Sequence, residues 1–177
     1  MSPKPLAIAL SLGLVLAAAY FDIRARRIPN SLTYPSALLA LGLGAAGGAH
    51  ALLLAAGGLL VGFGLLLPAY LIKAMGAGDL KLLAALGGFL GPRAILDVFL
   101  HSLIAGGLIA LMFLALRGEL RKGIVSLARL VAGLAGRRFG FPARSDSEES
   151  RWVSIGKIPY GVAIAIGTVS ALIPALT

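Results

Sequence analysis

Two aspartates, Asp22 and Asp79, stand at the ends of apolar segments of this chain. The first opens Asp22-Ile23-Arg24-Ala25-Arg26-Arg27-Ile28-Pro29-Asn30. The second closes Gly76-Ala77-Gly78-Asp79, just ahead of Leu80-Lys81-Leu82. Acidic side chains beside hydrocarbon are costly to keep and are therefore usually functional. Two of them, brought together by helix packing, are the minimum equipment of aspartyl proteolysis. A few ångströms apart, two carboxylates cannot both ionise easily, so one retains a proton and the titration belongs to the pair. The ionised member can take a proton from a water that attacks a peptide carbonyl. The protonated member polarises that carbonyl and then assists the departing nitrogen.

The neighbouring residues suit such a site. Gly76 and Gly78 permit a tight turn and the close approach of a substrate strand to Asp79. Lys81 is placed either to balance local negative charge or to snorkel to the interface. Ile28-Pro29-Asn30 stops or redirects the chain before the next apolar run, with Pro29 fixing the backbone. Each aspartate also has a plain structural use. Asp22 can be a helix-end residue satisfied by Arg24 or Arg26, and Asp79 an N-cap. Taken together, with the glycine turn, they favour chemistry.

The elements that must position these residues are apolar helices. The 177 residues are 59% hydrophobic and 13% charged, with mean hydropathy +0.96, which excludes an ordinary water-soluble fold. In lipid, helices are the economical way to satisfy the backbone. The composition thus points to one domain over 1–177, an all-α polytopic membrane protein. Apolar runs mark about six spans: Leu6–Phe21, Pro35–Ala49, Ala51–Ile72, Leu80–Leu90, Ala94–Leu116 and Ile158–Leu176. The second and fourth are short against the ~20 residues a span needs. Gly44/Gly48 and Gly58/Gly62 are spaced for close helix packing.

Of the 16 basic residues, all but Lys4 and Arg93 fall on one side of that layout. The positive-inside rule makes that side cytoplasmic, with both termini outside. Lys4, the first apolar run and Ala17-Ala18-Ala19 also resemble a cleavable signal peptide. Arg24, Arg26 and Arg27 would then have to cross the membrane, so the segment is expected to be a retained span. Residues 117–157 form a cytoplasmic loop. Within it, Ile124, Leu127, Leu130, Val131 and Leu134 alternate with basic residues between Glu119 and Arg138, the pattern of an interfacial amphipathic helix. Ser145 to Ser150 reads as a solvated acidic stretch.

Topology then places Asp22 and Asp79 at one depth, near the cytoplasmic face. The first ends a span that descends to it; the second begins a span that leaves it. Other chemistries have less material. The absence of cysteine excludes disulfides, thiol catalysis and cysteine-ligated zinc. Asp97 and His101 form an i, i+4 pair, but two ligands are too few for a metal, and a local hydrogen-bonded pair is the expectation there. Gly76-Ala77-Gly78 lacks the third glycine and preceding strand of a dinucleotide fingerprint. No cofactor, metal or nucleic-acid partner is expected; the +9 charge follows from the basic loops.

At these residues the chain resembles the type IV prepilin peptidases, a family of GxGD intramembrane aspartyl proteases. The match runs from Asp22 through Ile28-Pro29-Asn30, and again from Gly76-Ala77-Gly78-Asp79 through Leu80-Lys81-Leu82. Pro159-Tyr160-Gly161-Val162-Ala163-Ile164-Ala165 looks like the last-helix motif of the short Tad-type members. Archaeal preflagellin peptidases share both aspartate motifs. The resemblance implies a multi-pass inner-membrane hydrolase that cuts basic leader peptides from pilin or pseudopilin precursors at the cytoplasmic face, with Asp22 and Asp79 catalytic. Larger members that also methylate the new N-terminus carry a domain with paired CxxC motifs. This chain has no cysteine, so methyltransferase activity is not expected. The competing class is a small proton-coupled transporter that uses the same aspartates as a relay. Such a protein would more readily show internal repeats and broken helices at midplane; no convincing internal repeat is found, and the acids lie near one face instead.

Overall fold

The computed structural model describes residues 5–71, 75–116, 118 and 160–176, and every regular element among them is an α-helix. They are α1 (Pro5–Ala25), α2 (Asn30–Ala46), α3 (Ala49–Leu71), α4 (Ala77–Leu116) and α5 (Tyr160–Leu176). Of these, α1, α3 and α4 are long and apolar enough to cross a membrane, at 21, 23 and 40 residues. The expected interfacial helix between Glu119 and Arg138, and the acidic stretch after it, lie outside the described residues. Residues 1–107 and 159–177 form one compact unit and 108–158 a second. The described part of the second is the end of α4 with Gly118.

The helix boundaries differ from the sequence expectation where the aspartates sit. Span one ends not at Phe21 but at Ala25, so Asp22 lies inside α1. Arg26, with φ 50°, closes that helix in the left-handed conformation, its N–H donating to the Asp22 carbonyl at 2.9 Å. The helix at the second expected span begins at Asn30 rather than Pro35. The residue that stops the chain is Pro29, extended at φ −70°, ψ 142°, because a proline at the N-cap lacks an N–H the helix does not need. Pro35 is carried inside α2. The helix at the fourth expected span begins at Ala77, so Asp79 is in the first turn of α4 instead of before it. Gly91, at φ 83° and ψ 172°, breaks α4 into segments 77–90 and 92–116. That backbone region is essentially open to glycine alone. The break falls between expected spans four and five.

The surface is apolar: Leu16, Leu38, Leu53, Leu60, Leu100 and Ile104 are all exposed. In lipid, burying leucine against leucine gains little, so the helices must be held by close packing and hydrogen bonds. Small residues carry that packing. A Cβ on Gly58 or on Gly87 would overlap the other's backbone carbonyl, and one on Gly62 would meet the Leu83 carbonyl. Helix α3 therefore lies backbone to backbone on segment 77–90. Gly88 faces Ala40 of α2, where a Cβ would approach to 2.9 Å. The Gly44/Gly48 expectation holds by half. Gly44 packs on Ala55, whereas Gly48 sits in the α2–α3 connection at φ +92° with open space around it. Along the bundle, α1 packs on α5 and α2 on α3. Between them Val15, Ala18, Leu82, Leu86, Ile95, Val98 and Ile164 are fully buried.

Buried hydroxyls close on their own helices. Ser11, Ser102 and Thr168 each donate to the carbonyl four residues back, at 2.7 Å, which removes an unsatisfied donor from an apolar interior. Thr33, 2% exposed in the first turns of α2, has no such partner for its Oγ1.

Candidate active site

Asp22 lies one turn before the end of α1 and is 8% exposed. Its carboxylate is not satisfied by the nearby arginines. Arg24 turns back along α1, donating from Nη1 to the Tyr20 hydroxyl at 2.7 Å, with its guanidinium 6.0 Å from that ring's centroid. Asp22 Oδ2 instead accepts the backbone N–H of Gly161, at 2.7 Å, from the opposite end of the chain. Gly161 is the second residue of α5, and its N–H is one of the four that a helix start leaves without an intrahelical acceptor. Buried as it is, that amide has no water to turn to, so the aspartate and the helix start satisfy each other.

Asp79 is the third residue of α4, not its N-cap. A Cβ on Gly76 would come to 3.4 Å from Asp79 Oδ2, and the Gly76 amide acts on that carboxylate as a hydrogen-bond donor. A first-turn acid reaching back to the residue ahead of the helix is one half of a capping box. Asp79 thus also serves the start of α4.

The two motifs, far apart in sequence, meet in space. Gly78 lies on Ile28: a Cβ there would stand 3.1 Å from the Ile28 Cβ and 3.5 Å from the Ile28 backbone nitrogen and oxygen. The absence of a side chain is what lets the start of α4 reach the α1–α2 connection. Lys81, one turn further along, donates from Nζ to Asn30 Oδ1 at 2.9 Å and stands 4.7 Å over the Tyr34 ring. Its ammonium thus braces the two motifs, a use different from either sequence expectation. Asp22 and Asp79 lie within electrostatic reach of each other, and so do Asp79 and Tyr160. Pro29 contributes through the backbone, setting the α2 start from which Asn30 reaches Lys81.

All eight residues singled out in the sequence therefore belong to this one region: Asp22, Ile28, Pro29, Asn30, Gly76, Gly78, Asp79 and Lys81. What the residue types alone did not assign is the part played by Tyr160 and Gly161. The glycine at the start of an apolar helix was a signal, but nothing in its spacing tied it to Asp22. The other acid–base pair behaves differently. His101 Nδ1 is 2.8 Å from the Asp97 backbone oxygen, a contact within one turn of α4. Among the described residues, no three histidine or acidic side chains group as a metal site would require.

The arrangement keeps two carboxyl groups within electrostatic reach of each other, each served by a backbone amide and neither tied to an arginine or lysine among the described contacts. Such a pair can give and take protons at a common substrate atom. Comparison with known families agrees in kind. The model of the type IV leader peptidase family matches residues 9–111, a range that contains both aspartate motifs and ends before α5. No curated protein and no solved structure matches the chain.

Proposed function

Because this chain belongs to the type IV leader peptidase family, we propose that it is a membrane-embedded aspartyl endopeptidase acting on type IV pilin-like precursors. It removes their basic leader peptide at the cytoplasmic face of the inner membrane. The single observation that carries this reading is the meeting of the two aspartate motifs, through Gly78 on Ile28 and Lys81 on Asn30.

Asp22 and Asp79 are the catalytic pair. One, ionised, accepts a proton from the attacking water as its oxygen bonds to the scissile carbonyl carbon. The other, protonated, donates to the carbonyl oxygen as negative charge develops there. Collapse of the tetrahedral intermediate breaks the C–N bond, and the leaving nitrogen takes a proton from the pair. Neither step needs a cofactor. Gly76 and Gly78 leave room beside Asp79 for an extended substrate backbone.

Six spans with both termini outside accommodate this chemistry. The three long apolar helices and the break at Gly91 support that count, with α2 and α5, each 17 residues, as shorter spans and segment 77–90 as the shortest. The absence of cysteine from these 177 residues favours a Tad-type peptidase that leaves the new N-terminus unmethylated. The test is cleavage of a pilin-type precursor by the purified protein, with the products sized by mass spectrometry. Cleavage at the leader boundary without an added methyl group, abolished in Asp22→Asn and in Asp79→Asn, is expected. Wild-type cleavage by either variant would overturn the assignment. Proton-coupled flux in vesicles without any cleavage would move the protein to the transporter class.

A further inference from the structure

We infer that Gly161 is a positioning residue for the catalytic carboxylate: the first turn of α5 is a third part of the active site, built to aim Asp22. The inference rests on the peptidase reading above. Three observations converge on it. The Gly161 N–H donates to Asp22 Oδ2 at 2.7 Å, a buried hydrogen bond that joins α1 to α5. A Cβ on Gly161 would stand 2.8 Å from that same oxygen, 3.1 Å from the Asp22 Cβ and 3.2 Å from its carboxyl carbon. The residue ahead of it, Tyr160, lies within electrostatic reach of Asp79, and its ring fills the space a side chain on Gly106 would need.

These contacts hold Asp22 from one side. Oδ2 is engaged by the helix start, which fixes the rotation of the carboxyl group and leaves Oδ1 as the oxygen free to meet a water. Glycine suits the position, because a Cβ here would crowd the oxygen it holds and the Asp22 Cβ, so that Asp22 would have to shift. The amide is also one that α5 cannot satisfy internally, so the aspartate is held by a group with no competing partner. Gly161 follows Asp22 by 139 positions, so a residue near the end of the chain completes the site.

The test compares Gly161→Ala with Gly64→Ala, whose added methyl would meet nothing within 4 Å. Displacing a reacting group by 1 Å costs about a hundredfold in rate, so a shift of roughly half that predicts a loss of about tenfold in kcat for Gly161→Ala. Its affinity and stoichiometry for a non-cleavable leader peptide should stay at wild-type values, which a merely misfolded fraction would not allow. Gly64→Ala should cleave normally. A second readout does not depend on cleavage. Labelling by dicyclohexylcarbodiimide, scored by mass spectrometry at Asp22 against the exposed Asp97, should become several-fold faster in Gly161→Ala.

Wild-type kcat together with unchanged labelling would overturn the inference. If no protein cleaves the peptide yet Asp22 labelling rises, the peptidase reading fails and the positioning contact stands. If Gly161→Ala does not fold, Asp22→Ala is added to it, which removes the carboxylate that the methyl strikes. Recovery of the helical signal supports the contact, and continued misfolding overturns it.

Discussion

Lys81 and Asn30 offer the sharpest test of whether the two motifs touch in the folded protein. The perturbation is a double-mutant cycle. Lys81→Met removes the ammonium while keeping an unbranched apolar stem, and Asn30→Ala removes its acceptor. The Nζ to Oδ1 distance of 2.9 Å is that of a well-formed bond. A hydrogen bond to a charged group contributes about 1.5–3 kcal/mol. The pair is exposed, where water competes and measured pairs fall to about 0.2–1 kcal/mol. We therefore expect a coupling of about 0.5–1 kcal/mol between positions 81 and 30. The ammonium also lies 4.7 Å over the Tyr34 ring, a contact worth about 0.5–1 kcal/mol at an exposed site. Lys81→Met should thus cost more than Asn30→Ala, while Tyr34→Phe, which keeps the ring face, should cost little. Unfolding of the four proteins in mixed micelles, followed by circular dichroism, gives the cycle. Independent sites add to within ~0.3–0.5 kcal/mol. Additivity within that margin would mean that Lys81 and Asn30 do not meet, and the convergence of the motifs would lose its best polar evidence.

Three further outcomes follow from the packing. Gly87→Ala should prevent folding or cost several times the ~1 kcal/mol usual for a single substitution, because its Cβ would overlap the Gly58 carbonyl; wild-type thermal stability would refute the backbone contact. Thr33→Val should stabilise the protein by about 1 kcal/mol, since it removes an unpartnered buried hydroxyl of nearly the same shape. A loss of similar size in the same unfolding assay would show that the hydroxyl has a partner. Ile28→Cys with Gly78→Cys, in a chain that has no other cysteine, should cross-link on mild oxidation. The 3.1 Å separation of the Ile28 Cβ from a Cβ built at position 78 is just under the ~3.5–4.5 Å of disulfides. Free thiols after oxidation, read by mass shift with a maleimide, would place the two motifs apart.

The sequence made the helices and the aspartates legible for a physical reason. Apolar runs of this length have few alternatives in lipid, and an acid beside them stands out. Boundaries were less legible, because the polar residues at the ends of these helices can be carried inside them. Asp22 reads as the residue after a span, yet α1 runs on to Ala25 and buries it. Asp79 reads as a cap, yet it is the third residue of its helix. Partnerships were least legible. Neighbours in sequence made Arg24 the obvious companion of Asp22, while the fold gave that place to the Gly161 amide and turned Arg24 to Tyr20. Lys81 offered a charge whose use depended on which loop came near, and Asn30 is 51 positions away. Such pairings are products of helix packing, and no local spacing records them. The glycine pattern shows the same divide. Gly58 and Gly62 lie on a helix face and pack as their spacing suggests, whereas Gly48 falls past the helix end and makes a turn.

The central claim is that Asp22 and Asp79 form one catalytic unit, and the direct measurement is the additivity of their loss. Single-turnover cleavage of a leader peptide is timed for wild type, Asp22→Asn, Asp79→Asn and the double variant, each with its helical signal intact. Residues that act as a unit are grossly non-additive, so the double variant should be no slower than the worse single one. If instead the two losses multiply, each aspartate contributes separately and the shared site is wrong.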